Sequence, residues 1–437
     1  MNLVEALAWL DRRIDHETAA SSGVSAGRIE GLSLEPMRQL MALLGDPQLD
    51  VPVVHITGTN GKGSVAAMVS ALLREHGLVV GTYTSPHLAG VHERIRRDGQ
   101  PIGDQDLAEA LSGVAAVEDL LEVRPSWFEA LTAAAFRWFA EAPVEVAVVE
   151  VGLLGRYDAT NVAEATVAVV TSVGGDHTDF APGWELAVAS EKAGIIGPDS
   201  TAVLGDVAAE LVGTFEAEGP ERLVRLGVDF SVEQDQVAVG GHLVTLQGLY
   251  SRHEDLFLPV HGAHQVDNAA VALAATEAFF HRAVPSEVAE AAFASVELPG
   301  RFEVVHHGPL VVLDGAHNPD ALRAMAATLD AEFTPVGSRT VVLGMLAGRD
   351  PDAAVAALAG LRPDVVVCTA PDGPRSLDPA QLAAACGRAG LAHERIADPV
   401  TAVARALNVA AEEDVVVVTG SFRLVEPARE VVARWAS

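Results

Sequence analysis

The chain has 437 residues, enough for roughly two or three domains with cores of their own, and its 49% hydrophobic and 20% charged content is that of a globular protein. Its 29 basic and 60 acidic residues give a formal net charge of −31, which argues against nonspecific nucleic-acid binding and adhesion to anionic membranes, both of which need a basic surface. An anionic small molecule is still accommodated, because a few local cations override the global field.

With 5% aromatic residues, Ala, Val and Leu must build most of the core. The opening stretch MNLVEALAWLDRRIDHE lacks the basic-then-apolar layout of a secretory signal. No apolar run approaches the roughly 18 residues of a membrane span, so a cytoplasmic location is expected. Cys368 and Cys386 form neither a CxxC pair nor a disulfide framework, and Cys368, at the end of PDVVVCTA, reads as a buried core thiol.

VPVVHITG is a short β-rich run, followed by Val65, Val69, Leu72 and Leu73 at helical spacing and closed by Gly77. VVGTYTS predicts a second strand, and two helical patterns follow over 104–121 and 126–141. VEVAVVEVG and ATVAVVTSV are near-continuous apolar runs, as in parallel strands buried on both faces. A helix is predicted over 183–196, then a small antiparallel patch within the Gly-punctuated stretch 223–260, then a helix over 264–282. Pro299-Gly300 marks the expected domain junction. Beyond it strands and helices alternate through PLVVLD, RTVVLG, DVVVCTA and DVVVVTGS, the pattern of a second α/β unit with its own parallel sheet. Two α/β domains joined at a hinge suit an ATP-dependent transferase or ligase.

In open α/β sheets ligands sit outside the carboxyl ends of the strands, so the residues after each apolar run are the candidates. HITGTNGKGSV resembles a Walker A loop with Ile56 in the leading glycine position and Gly63 between Lys62 and Ser64. Backbone amides of Thr59 to Ser64 at a helix N-terminus would cradle phosphates, with Lys62 neutralising them and Ser64 placing its hydroxyl on Mg²⁺. Glu150, after EVAVV, and His177, after VAVVTSV and Asp176, would complete metal shells; the plainer roles are a helix cap and a packing residue. Asp314 and His317 follow PLVVL, and Ser421 follows the last run. Lys192, in ASEKAGII, sits on a predicted helix among small and apolar residues. It is either a snorkelling or Glu191-paired lysine, or one whose lowered pKa permits reaction with CO₂ to form a metal-binding carbamate. HERIRRDG is basic in an acidic chain and reads as a solvated loop or an anion contact, and His306-His307 reads as a strand end.

These residues occur within a longer ordered series: GTNGKGS (58–64), TSPHL (84–88), ERI (93–95), WFEALTAAAF (127–136), DATN (158–161), DHT (176–178), EKAGI (191–195), HQVDNAAVA (264–272), PGRFE (299–303), LDGAHNP (313–319) and TGSF (419–422). The series resembles the folylpolyglutamate synthase/dihydrofolate synthases, a branch of the Mur ligase superfamily. The resemblance implies an N-terminal P-loop ATPase domain over 1–297 with a small antiparallel patch, and a Rossmann-like α/β domain over 298–437. It implies ATP as co-substrate, two Mg²⁺ ions, small-molecule partners and a monomer. It assigns Gly58, Thr59, Asn60, Gly61, Lys62, Gly63, Ser64, Asn268, Arg301 and Asp314 to ATP. Ser64, Glu150, His177 and carbamylated Lys192 go to the metal, with Lys62, Glu150, His177 and Lys192 in the catalytic set. Thr84, Ser85, Pro86, His87, Arg94, Phe128, Asp158, His317 and Ser421 go to the pterin-bearing substrate and the incoming glutamate.

The implied reaction is attack of a substrate carboxylate on the γ-phosphate of ATP, then attack of the glutamate α-amine on the acyl phosphate, with closure at a 296–303 hinge excluding water. Three departures bear on fine specificity. GLLGRYDATN has Leu154 where a second glycine is usual and Tyr157 for leucine, SVGGDHTDF has Gly174 for isoleucine, and GMLAGRD replaces a lysine-containing turn. The competing readings are another Mur-type amide ligase with a non-folate acyl substrate, and a nucleotide-binding regulator without activity.

Overall fold

A computed structural model describes residues 1–14, 33–176, 178, 180–334 and 336–436. The chain packs as two compact units, Met1–Pro259 with Gln265–Val296, and Val260–His264 with Glu297–Ser437.

The first unit is built on eight strands: β1 (Val53–Thr57), β2 (Val80–Tyr83), β3 (Ile95–Arg97), β4 (Gln100–Pro101), β5 (Val146–Glu150), β6 (Ala165–Ser172), β7 (Thr201–Asp206) and β8 (Arg222–Arg225). Their order across the sheet is β4-β3-β2-β5-β1-β6-β7-β8, with only the β2–β3 and β3–β4 pairs antiparallel. Strand β1 lies between β5 and β6 in parallel register, Ile56 opposite Glu150 and Thr57 opposite Val170. Every residue of β1 and β5 is buried, which is why both read as apolar runs without alternation. The helix Trp127–Glu141 starts at a capping box of Ser126 and Glu129. It joins the helices Leu3–Asp11, Glu35–Leu43 and Asp104–Val117 in a core against Tyr83, Ala147 and Val149.

A separate antiparallel sheet follows, β9 (Ser231–Ala238), β10 (Gly241–Gln247) and β11 (Arg252–Leu258), ordered β11-β10-β9. The antiparallel patch expected over 223–260 therefore begins at Ser231. The segment before it, β8, continues the main sheet in parallel beside β7, because a short strand with one buried residue is recruited by the edge it meets.

The second unit adds β12 (Glu303–His307), β13 (Leu310–Leu313), β14 (Arg339–Gly344), β15 (Val365–Thr369), β16 (His393–Arg395) and β17 (Val415–Thr419), ordered β12-β13-β17-β14-β15-β16. All neighbours are parallel except β12 and β13. Val312, Val341, Leu343, Val366 and Val417 share a core with the helices Pro319–Glu332, Pro351–Leu358 and Pro379–Arg388. Cys368 and Cys386 lie in it as free, buried thiols with sulfurs 3.9 Å apart. Three of this unit's helices begin at an Asp N-cap followed by proline, at Asp350, Asp378 and Asp398. No helix among the described residues is long and apolar enough to cross a membrane.

Candidate active site

The chain leaves β1 into Gly58–Gly61 and enters the helix Lys62–Glu75, so the loop sits at the carboxyl end of a central strand with a helix N-terminus behind it. Strand β6 staples it. Thr171 Oγ1 donates to Asn60 O (2.5 Å), Ser172 Oγ accepts from Asn60 N (3.0 Å), and Thr59 Oγ1 bridges to Gly174 (2.9 and 3.1 Å). The Thr59 amide donates to Ser172 O (3.0 Å). Two of the amides expected to cradle phosphates, those of Thr59 and Asn60, are thus spent on shaping the loop. Those of Lys62, Gly63 and Ser64 precede the first helical bond, Val65 N to Gly61 O (2.9 Å), and have no acceptor in the helix ladder.

Two glycines are dictated by packing. A Cβ on Gly58 would lie 1.8 Å from Thr171 Oγ1, and one on Gly61 (φ +87°) 2.5 Å from Asn268 Oδ1. Asn268, on the helix Ala263–Phe280 and held by Gln265 (3.0 Å), therefore lies directly against the loop. Lys62 Nζ folds back onto Gly58 O (3.0 Å) and Thr59 O (3.4 Å), and Ser64 is buried in the first turn.

Lys192 is 4% exposed near the end of the helix Trp184–Ala193, which excludes a snorkelling surface lysine. Burial first, then the Lys62 ammonium, lowers its pKa to about 7, opposed by Asp176. Lys62 and Lys192, far apart in sequence, are thus neighbours across the site, and the acid acting on Lys192 is Asp176, not Glu191. Glu150 ends β5 buried and accepts from Ser85 N (3.0 Å), which fixes the Thr84–Leu88 loop on the sheet instead of capping a helix. His177 lies outside the described residues.

On the proposed substrate side, Glu93 accepts from the amides of Leu88, Ala89 and Gly90. Arg94 is buried, donates to His87 Nδ1 (2.9 Å) and stacks over Trp127 at 4.7 Å, while its carbonyl accepts from Thr84 N. The residues of TSPHL and ERI are therefore one closed loop, Pro86 included. Phe128 lies 5.9 Å from Tyr83 and against Gly152, where a Cβ would come within 2.4 Å of its ring. Asp158 faces inward, accepting from Leu153 N (2.8 Å), Thr160 N (3.0 Å) and Thr160 Oγ1 (2.5 Å); burial raises its pKa.

Sequence reasoning passed over several residues here. His55, inside the apolar run of β1, is fully buried with its pKa lowered by burial to about 3; Nε2 meets Thr160 Oγ1 at 2.8 Å. Since the Thr160 hydroxyl gives its proton to Asp158, the histidine donates. A histidine amid valines was the available signal. Thr171, Ser172, Arg156 and Asn161 gave none beyond their motifs.

The second unit gathers its own cluster at the carboxyl ends of β13 and β17. Asp314 accepts from Phe302 N (2.7 Å) and Ala316 N (2.6 Å), and burial pushes its pKa up to about 6 despite Arg301. Arg301 lies over the Phe422 ring at 5.1 Å, and His317 packs 6.2 Å from the same ring while accepting Arg349 at its carbonyl (3.0 Å). Ser421 is buried and caps the following turn at Arg423 N. Arg301, Asp314, His317 and Ser421 are thus brought together around one turn.

Known proteins resemble this chain in sequence and fold. Residues 300–422 match the Mur ligase, glutamate ligase domain. A dihydrofolate synthase/folylpolyglutamate synthase of Mycobacterium tuberculosis is 39% identical over 92% of this chain and 90% of its own. The folylpolyglutamate synthase of Mycobacterium tuberculosis complexed with ADP and AMPPCP superposes with a TM-score of 0.88 at 37% identity, covering 98% of both chains. A bifunctional folylpolyglutamate synthase/dihydrofolate synthase with Mn, AMPPNP and L-glutamate bound superposes at 0.84 and 30% identity, covering 100% of this chain and 98% of that one. A stapled glycine-rich loop at a strand-to-helix junction and a matched glutamate ligase domain, carried on a sequence this similar end to end, make the chain a member of the dihydrofolate synthase/folylpolyglutamate synthase family.

Proposed function

We propose that this chain joins L-glutamate to dihydropteroate, to a folate monoglutamate or polyglutamate, or to both, using ATP. It is an ATP-dependent ligase of its family, and the observation that carries the site assignment is the convergence of Lys62, Lys192 and Asp176 at the carboxyl end of the central strands. A substrate carboxylate oxygen attacks the γ-phosphorus, ADP leaves, and an acyl phosphate forms. The glutamate α-amine then attacks the acyl carbon, loses a proton, and phosphate departs as the amide forms. Lys62 and the amides of Lys62 to Ser64 hold the phosphoryl oxygens, so positioning and electrostatics carry the first step.

The donors suit a divalent hard cation. Ser64 and Glu150 are buried oxygen ligands, and Mg²⁺ prefers a few such groups with water and phosphate oxygens. Ser64, Glu150, His177 and the carbamate of Lys192 would hold it, and when bound it offsets charge on the phosphate oxygens. Only a neutral amine combines with CO₂, releasing a proton, and burial favours that form of Lys192. Arg301, Asp314, His317 and Ser421 are proposed for the nucleotide and glutamate, and the loop of Thr84, Ser85, Pro86, His87 and Arg94, with Phe128, for the pterin end. Asp158 would act there through the turn it holds.

The deciding experiment is phosphate release with Mg-ATP and L-glutamate on dihydropteroate and, separately, on a reduced folate monoglutamate, each product weighed by mass spectrometry. A glutamate-mass gain on at least one substrate is expected, on both for a bifunctional synthase and on one for a single reaction; none on either points to a non-folate acyl substrate. Lys62→Ala is expected to lower turnover by at least about 100-fold, with an unchanged circular dichroism spectrum. Near-normal turnover in that variant removes the loop from the mechanism.

A further inference from the structure

We infer that Arg156 and Asn161 are positioning residues for Lys192, holding it in register with the phosphate loop through the segment Gly152–Asn161. This rests on the reading of Lys192 as a metal-site residue and adds what fixes it there.

The helix bearing Lys192 ends at Ala193, so its last carbonyls need partners from elsewhere. Arg156 supplies two: its guanidinium donates to Ser190 O (3.0 Å) and its backbone amide to Glu191 O (2.8 Å). Asn161 Nδ2 donates to Gly194 O (2.9 Å) and to Arg156 O (3.0 Å), tying the clamp to itself. The carbonyls of Lys192 and Ala193 are met by the amides of Ile195 and Ile196. The fit is close enough to demand glycine on both sides. A Cβ on Gly155 would lie 2.7 Å from Glu191 O and 3.2 Å from Lys192 Cα, and one on Gly194 2.4 Å from Arg156 Cβ. The guanidinium also pairs with Glu218 and places a cation at a helix C-terminus, where it is favoured.

The other side of the same segment is bound to β1, the strand that runs into the phosphate loop. Thr57 Oγ1 donates to Leu154 O (2.5 Å), and His55 reaches Thr160 at 2.8 Å. Leu154 holds a left-handed backbone (φ +59°), a conformation that costs a non-glycine residue energy and persists only where the surroundings over-determine it. The chain of contacts therefore runs from β1 through Gly152–Asn161 to the carbonyls of Ser190, Glu191 and Gly194, the residues that flank Lys192.

The test is Mn²⁺ affinity in the presence of AMPPNP, read from the free-ion electron paramagnetic resonance signal. It compares the full chain with R156A, R156K, N161A, K192A and the R156A/K192A double variant, alongside melting temperatures. R156A is expected to weaken Mn²⁺ binding by about tenfold, the loss of a charge-assisted hydrogen bond, with R156K and N161A intermediate. The double variant is expected to bind no more weakly than K192A, because Arg156 acts through the lysine. Wild-type Mn²⁺ affinity in R156A with a lowered melting temperature, or additive losses in the double variant, would overturn the inference. Wild-type affinity in K192A instead removes Lys192 from the metal site, and the inference falls with that reading. If R156A does not fold, R156K and N161A carry the comparison.

Discussion

Lys192 shows what one buried ionisable group costs and what it supplies. Its amine is lowered from 10.5 to about 7, so between those values the unfolded chain holds a proton that the folded chain has released. Stability from this group is therefore full above about pH 10.5 and is lost as pH falls toward 7. Lys192→Met keeps the length and removes the charge. It is expected to raise stability at pH 7 by about 4 kcal/mol while abolishing turnover, with the gap to wild type closing above about pH 10. Urea unfolding midpoints at the two pH values measure it, and equal midpoints at pH 7 would contradict a burial cost that Asp176 only partly offsets. Asp314 runs the opposite way: its carboxyl is raised to about 6, so it favours the fold at low pH and gives up that contribution as pH rises through 6.

The Gly58–Ser64 loop and the Gly152–Asn161 segment are shaped less by their own sequence than by the strands they lie on. Gly58 has φ +151° and leaves no room for a Cβ beside Thr171, whose hydroxyl anchors Asn60. Gly58→Ala is therefore expected to cost about 2–3 kcal/mol and to remove ATP-dependent turnover. Adding Thr171→Ala should recover part of the melting temperature, since it removes the closest clash, but not the activity, since it also removes the staple. Thermal melts and turnover of the single and double variants measure this; full activity in Gly58→Ala would mean that the loop tolerates another shape. Leu154 illustrates a tolerated exception at the same scale. Glycine is usual in such a left-handed position, and leucine bears a strain of about 1–2 kcal/mol. Its side chain is buried against Val188, and burial of a leucine contributes about as much in return.

For the molecule as a whole, the net charge of −31 is the dominant long-range term. Like charges on a compact body repel, and salt screens them over about 10 Å at 0.1 M. The melting temperature is expected to rise by about 5 °C or more between 0.05 and 0.5 M KCl, and scanning calorimetry across that series checks it. A flat or falling profile would mean that local ion pairs such as Arg156–Glu218 and Arg429–Glu303 matter more than global repulsion.

The apolar runs of β1, β5, β6 and β17 announced parallel strands buried on both faces, because burial on two sides suppresses alternation, and the structure has them. The loop before Lys62 was legible for a similar reason: glycines followed by Lys and Ser at a strand-to-helix junction have few other uses. Strand β8 and the short β16 were not legible, since a few residues with one buried side chain take their conformation from the strand they join. Three features of the site belonged to tertiary structure alone. Thr59 and Asn60 spend their amides on β6, Asp158 turns inward to hold Leu153 and Thr160, and Lys62 comes to lie beside Lys192. Residue types and local spacing determined which chemistry the chain carries. Which groups were spent on shape, and how far burial lowered the amine of Lys192, was decided by what the fold packed against them.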